Sequence, residues 1–454
     1  MPDAHSWDVP LELRCARNAN LTDWGEPEYL FPVYYNRPLP YDPVRPWIDD
    51  DGAWYVALSA DGCNVSEAKM PCPRGGALHL WTSPKLHGAG ADWQHLGEML
   101  VTNRTPLDRS ETAEFVTSDF FGNLQGDPRG GATRIVTNNG GTVNSGSPIF
   151  YMGVQANGSK FLDGAGEMEF AAPGEIGMLD YGAFTRNGRP GAKGIGALRG
   201  NLSQRAFSMA KTLGGESANQ VAKPGRRRLV AWGSTFHQGG GAYTFQTLLQ
   251  DLTLAPGKGP GENVVLQQAF IPELQMLRQG KPIDRSQQFE LVATISKPVH
   301  GRLQGQAKTT SWCGDECAYI TVLNTVHIGV DFLSQIVFVD TTAQRNLMPV
   351  YGPNPAPVRA GPLLLRASTA PVDVVHVHAI VDHSIIAVIF NNRTSLTVAT
   401  TPGEHDGGYE VPSSHSSIEV QAWNLATANE NADSQKTPKA PWLLPKVHNS
   451  PACL

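Results

Sequence analysis

The chain has 454 residues, a formal net charge of −6, 47 glycines and 34 prolines. That length points to two domains rather than one core. Charge is spread along the chain, with one compact basic cluster (KPGRRR, 223–228), so no nucleic-acid partner is expected. No apolar run approaches the roughly 18 residues needed to cross a membrane, so no membrane partner is expected either.

The opening, MPDAHSWDVPLEL, has neither the charged n-region nor the apolar h-region of a signal peptide. Six N-x-S/T sequons nevertheless occur, at Asn20, Asn64, Asn103, Asn157, Asn201 and Asn392. That excess favours an extracellular or secretory-pathway glycoprotein. Of the cysteines at 15, 63, 72, 313, 317 and 453, the pairs Cys63/Cys72 and Cys313/Cys317 are spaced to close small loops in an oxidising compartment. The C-x3-C at Cys313 lacks the second ligand pair of a zinc site, and neither metal nor cofactor is expected.

Short β-rich runs broken by Gly, Pro, Asn and Asp fill the first part of the chain. They include AWYVALSA (53–60), ALHLWTS (77–83), ATRIVTNN (132–139), IFYMGVQ (149–155) and RRLVAWG (227–233). Their spacing suits propeller blades. The stretch LQQAFIPELQMLRQGKPI (266–283) reads as a strand entering a short helical or irregular connector. A second series follows: QFELVATIS, CAYITVLNT, SQIVFVDTT, VVHVHAIVD, IIAVIF and SIEVQAWNL. Its period-two alternation predicts two antiparallel sheets packed face to face. The expected organisation is a propeller over 1–270, a linker over 271–285, a sandwich over 286–428 and a Pro-rich extended tail over 429–454.

Several segments carry acids or aromatics in fixed settings. YDPVRPWIDDDGAWYVAL (41–58) places Asp42 before a proline, then Trp47, a turn and a strand. ETAEFVTSDFFGN (111–123) contains Glu114 and Asp119, and LDYGAFTRN (179–187) contains Asp180. Taken singly, each is an ordinary turn or strand residue.

Together, in order, these segments resemble the signatures of glycoside hydrolase family 32, the invertase and fructan-hydrolase family. YDPVRPW…DGAW resembles "RDPxxxW…DGxW", and ETAEFVTSDFF resembles "TGMWECPDFF". LDYGAF…GRRRLVAWG resembles "LDYGxDFYAAxTF…GRRxLWGW", and QTLLQDLTLAP…LQQAFIPELQMLR resembles "QSLPRELxL…LxQxPxxELxxLR". VDHSIIAVIF resembles the sandwich pair "VDHSxxEVF".

The resemblance implies an all-β protein: a five-bladed β-propeller, its first blade incomplete, followed by a C-terminal β-sandwich. It implies a β-fructofuranosidase-type glycosidase acting on sucrose or fructans, by a retaining mechanism that needs two carboxylates roughly 5 to 5.5 Å apart. Asp42 and Glu114 are the expected catalytic residues, with Trp47, Asp119 and Asp180 expected to bind substrate. Whether water or a sugar hydroxyl accepts the fructosyl unit is left open.

Two departures stand out. The family's "WMNDPNG" nucleophile signature is absent from residues 1–454, and the nearby acids Asp8 and Asp23 read as surface loop residues. Ungapped alignment puts Val116 at the family's catalytic glutamate, and Glu114, two residues earlier on the same strand face, is the displaced candidate. YDPVRPW is read as the second signature, in which its aspartate holds sugar hydroxyls; read as the first, it makes Asp42 the nucleophile. The competing expectation is a catalytically silent carbohydrate-binding or interaction protein with the same fold.

Overall fold

The computed structural model of the protein describes residues 11–17, 22–31, 41–48, 51–61, 76–101, 119–138, 149–154, 208–214, 226–237, 242–256, 264–280, 286–298, 317–341, 343, 347–348, 358–363, 372–412, 417–426 and 452–453, apart from 45, 123, 129, 131, 132 and 334. These residues form antiparallel sheets. Their helical content is a single 3-10 helix at Pro272–Leu277.

The first strands form small sheets. β1 (Leu11–Leu13) pairs with β3 (Glu28–Phe31), and β2 (Cys15–Ala16) pairs with the last strand, β29 (Ala452–Cys453). β4 (Tyr41–Pro43), β6 (Trp54–Asp61), β7 (Gly76–Ser83) and β8 (Gln94–Val101) follow in one sheet, with β5 (Trp47–Ile48) paired to β6. In β6, Tyr55, Val56, Ala57 and Leu58 are consecutively buried, which alternation alone does not give. A strand covered on both faces reads this way. Val56 and Leu58 pack with Leu30 of β3, Trp81 and Trp93.

The next sheet is β9 (Asp119–Gly122), β10 (Thr133–Asn138) and β11 (Ile149–Val154). After it come β12 (Ser208–Gly214), β13 (Arg227–His237), β14 (Ala242–Gln246), β15 (Gln250–Pro256) and β16 (Val264–Phe270). Their order is β12-β13-β15-β16, with β14 also on β13. The turn after β9 rests on β15, where Leu254 N–H donates to the Gln125 carbonyl at 2.8 Å. Gly126 (φ +80°) permits this approach, since a Cβ there would lie 2.2 Å from the Leu254 oxygen.

Two further sheets pack face to face. One has six strands in the order β17-β28-β18-β24-β25-β26: β17 (Arg278–Gln279), β28 (Ile418–Leu425), β18 (Gln288–Ser296), β24 (Val374–Asp382), β25 (Ile385–Phe390) and β26 (Thr394–Ala399). The other runs β23-β21-β20-β19-β27: β23 (Val358–Pro362), β21 (Ile336–Asp340), β20 (Val326–Asp331), β19 (Cys317–Val322) and β27 (Tyr409–Glu410). β22 (Leu347–Met348) leaves this group and pairs with β13. Alternate residues of each sheet, Leu291, Ala293 and Ile295 against Ile320, Ile328 and Val339 among them, fill one shared core. Gly329 lies under the Phe338 ring on the other face, where a Cβ would sit 2.5 Å from that ring.

The outer face of the six-stranded sheet is covered as well. Ile380, Ala387, Ile389 and Leu425 form a second core with Phe270 at the end of β16, joined by Leu248, Leu274 and Leu277. The buried glutamines of β15 and β16 cross the same junction: Gln250 Nε2 donates to Ser395 Oγ at 3.0 Å, and Gln268 Nε2 to the Arg393 carbonyl at 2.8 Å. The Gln268 N–H also donates to the Asn392 carbonyl, at 2.8 Å.

Near the C-terminus, the strand Ala452–Cys453 pairs with β2 in a register that sets Cys453 opposite Cys15. Cys15 and Cys317 are both disulfide-bonded, and no described cysteine is free. Local spacing singled out Cys317 but gave no hint of the Cys15–Cys453 alignment, which joins positions at opposite ends of the sequence.

Candidate functional site

Two segments carrying the family-like motifs begin edge strands: β4 starts at Tyr41 and β9 at Asp119, and each lies at one end of its sheet's strand order, as does β12, which starts at Ser208. Asp42 occupies the centre of β4, and the pairing with β6 slips there: Tyr41 faces Ser59 and Pro43 faces Leu58. A bulge of this kind re-aims a strand locally and is common beside functional sites. Proline at 43 fits an edge strand, which need not donate from every N–H.

The strand is anchored immediately downstream. The Val44 N–H donates to the Ala57 carbonyl at 2.8 Å, and the Val44 side chain is fully buried. Trp47 is 7% exposed and stacks on Tyr55, with ring centroids 5.8 Å apart and planes 19° apart. Tyr55 donates its hydroxyl to Asp51 Oδ2 at 2.5 Å, and Asp51 Oδ1 accepts from the Ala53 N–H at 2.9 Å. The turn between β5 and β6 is thus fixed by one aspartate and one tyrosine. Trp47 therefore braces this turn, whatever else it contacts.

Asp119 opens β9 opposite Thr137 of β10. Glu114, Val116 and Asp180 lie outside the described residues, as does Asp8. Asp23 is at the surface, 57% exposed, with Arg17 Nη1 4.0 Å from its carboxylate, so the expected loop role is the observed one. On the neighbouring surface, Glu28 of β3 accepts from the Gly88 N–H and lies 3.5 Å from His87, tying the β7–β8 turn to β3.

Strong electrostatic groups cluster elsewhere, around the connector. Arg226 donates Nε to both Asp251 oxygens at 2.8 Å and Nη2 to Glu273 Oε2 at 2.6 Å. The hydrogen bond from Arg226 holds the Glu273 carboxyl down at about 2. Glu273 and then Asp251 push Arg226 upward in turn. At the far end, Arg278 pairs with buried Glu290, stacks 3.9 Å over the Trp423 ring and has its own pKa raised by that pairing. His378 Nε2 lies 2.6 Å from Glu290 Oε1. Burial pushes the Glu290 carboxyl up, but the hydrogen bonds from Arg278 and His378 outweigh it and hold the group at about 2. Sequence reading passed over these residues because each partner comes from a distant strand.

No family model and no curated protein matches this chain. Solved structures do. It is similar to the fructan 1-exohydrolase IIa of Cichorium intybus in complex with 1-kestose, at TM-score 0.55 and 13% identity over 90% of this chain and 76% of the other. It is similar to the sucrose-6-phosphate hydrolase of Lactobacillus gasseri, at TM-score 0.55 and 12% identity over 93% and 77% of the two chains. The Aspergillus kawachii β-fructofuranosidase complexed with glycerol gives TM-score 0.55 and 13% identity over 92% and 75%. The chain has the propeller-plus-sandwich fold of the family 32 fructosidases.

Proposed function

We propose that this protein binds fructosides in the manner of a β-fructofuranosidase-type glycoside hydrolase, with sucrose or a short fructan as the ligand class. The observation that carries the reading is the fructosidase-type fold over about nine-tenths of the chain. The ordered motifs support it, with those containing Asp42 and Asp119 falling on edge strands of successive sheets. In a propeller one edge of each sheet faces the central channel, and the reading assigns β4, β9 and β12 to that edge.

In the retaining mechanism, one carboxylate attacks the anomeric carbon while the other, protonated, gives its proton to the departing glycosidic oxygen. Water then displaces the enzyme carboxylate and returns a proton to the second group. Asp42 and Glu114 are the candidates for this pair. If YDPVRPW acts as the second signature, Asp42 instead holds the sugar hydroxyls.

A second reading, a silent carbohydrate binder, is favoured by one specific observation: Val116 occupies the aligned acid/base position. Valine has no proton to give. Purified residues 1–454 are expected to bind sucrose or 1-kestose by calorimetry while releasing little or no fructose. Robust turnover abolished by Asp42→Asn would place Asp42 in the catalytic site and exclude the silent reading. Absence of both binding and turnover would overturn the fructoside reading itself.

A further inference from the structure

One of the N-x-S/T sequons, Asn392-Arg393-Thr394, lies wholly among the described residues, and the asparagines of the others lie outside them. It occupies the turn between β25 and β26, whose pairing runs as far as Phe390↔Thr394, and the Arg393 N–H closes the turn by donating to the Phe390 carbonyl at 2.9 Å. Asn391 and Asn392 both take left-handed φ, 51° and 54°. Asparagine tolerates that region and glycine enters it freely, so the backbone by itself asks only for one of these two residues at each place.

The two side chains are used differently. Asn391 Oδ1 accepts from the His376 N–H at 2.8 Å, and the Asn391 N–H donates to the His376 carbonyl at 2.8 Å, so this residue stitches the turn to β24. Asn392 is exposed, and among the described residues no hydrogen bond holds its carboxamide. Its main chain is nevertheless fixed. The Asn392 carbonyl accepts from the Gln268 N–H, the Arg393 carbonyl from Gln268 Nε2, and Ser395 Oγ from Gln250 Nε2. The turn therefore presses its backbone onto β15 and β16 and leaves one primary amide in water. Thr394, at the third position of the sequon, is 4% exposed, so its hydroxyl is open to an enzyme only before β26 closes onto β25.

We propose that Asn392 is an N-glycosylation site, modified on the nascent chain. Its Nδ2 forms a bond to the anomeric carbon of an oligosaccharide delivered as a lipid pyrophosphate; the amide gives up one proton, and the lipid pyrophosphate leaves with the electrons of the broken glycosyl–oxygen bond. Folding then carries the sugar outward, because the carbonyls of the turn face β16 while the carboxamide of Asn392 stands in solvent at the rim of that seam. No residue of the junction has to move to admit it. The inference is independent of the fructoside reading above.

The test expresses the full chain behind a secretory leader in a host that glycosylates asparagine. The secreted protein is treated with peptide-N-glycosidase in heavy-oxygen water, which converts a glycosylated asparagine to labelled aspartate, and its peptides are mapped by mass spectrometry. The expected result is label at position 392 in most copies of the wild-type chain. Thr394→Ser, which keeps the acceptor hydroxyl, should retain the label. Asn392→Gly, which suits the left-handed φ, and Thr394→Val, which removes the hydroxyl, should both lack it. Unlabelled Asn392 in the secreted wild-type chain overturns the inference, whether or not other sequons carry label. Label that persists in Thr394→Val overturns it as well, because modification independent of the hydroxyl is not sequon-directed transfer. Should a variant fail to be secreted, the wild-type map decides alone.

Discussion

Both carboxylate oxygens of Glu290 are engaged by the guanidinium of Arg278, which donates Nε to Oε2 at 2.6 Å and Nη2 to Oε1 at 2.7 Å. The pair joins the first residue of β17, just after the 3-10 helix, to β18 of the same six-stranded sheet. Glu290 is 1% exposed, so its charge depends on these partners. A bidentate geometry with a third donor at His378 is the arrangement in which a buried carboxylate stays ionised.

Glu290→Gln should lower unfolding free energy by about 3 kcal/mol, because it leaves Arg278 without its counter-charge in a partly buried setting. Urea denaturation measures this. The double variant Arg278→Met/Glu290→Gln should recover part of the loss, since no unpaired charge then remains. Strictly additive single effects would show that the two residues do not interact energetically.

The same pair sets an acid dependence. A carboxyl held at about 2 in the folded chain against an ordinary 4.5 stabilises the fold fully above pH 4.5 and loses that contribution as pH falls through about 2. The complete shift corresponds to about 3 kcal/mol. The stability gap between wild type and Glu290→Gln should therefore stay constant from pH 6 to about pH 4.5 and narrow from there to pH 2 in chemical denaturation. A gap independent of pH would mean that the charge of Glu290 contributes nothing.

Gly329→Ala should destabilise the sandwich by about 1 to 3 kcal/mol, because the new methyl meets the Phe338 ring, the Ala318 carbonyl and the Tyr319 Cβ within 2.7 Å. Adding Phe338→Leu should relieve part of the cost by freeing the ring's volume. Melting temperatures of the single and double variants provide the check.

Tyr55→Phe removes the donor to Asp51 while keeping the stack on Trp47. The expected loss is about 1 kcal/mol, typical of one hydrogen bond in a partly buried turn. If the turn positions β4, the substitution should also weaken sucrose or 1-kestose binding, measured by calorimetry, more than so small a stability change would by itself. Unchanged affinity would confine the Tyr55–Asp51 contact to stability.

Alternation and turn residues made most strands legible in the sequence. AWYVALSA became β6, QFELVATIS became β18, and VVHVHAIVD with IIAVIF became the hairpin β24–β25. These are local signals, since side chains that face a core recur every second residue and Asn or Gly marks the reversal. The left-handed turn at Asn391 and Asn392 illustrates it, with φ of 51° and 54° at residues that tolerate that region. The ordered motifs likewise carried the fold, because a shared chain order survives where identity has fallen to 13%.

What the tertiary structure alone decided are relationships between residues far apart in sequence. Nothing in FEL distinguishes Glu290 from an exposed strand glutamate until β17 and β24 bring Arg278 and His378 to it. Gln250 and Gln268 are polar strand residues, yet both are buried where β15 and β16 meet the 392–395 turn. The outer face of the six-stranded sheet is buried for the same reason, which is why Ile380, Ala387 and Ile389 break the alternation. The pairing of β22 with β13 belongs to this class too. Sequence periodicity reports which side of a strand avoids water; only the assembled chain determines what covers it.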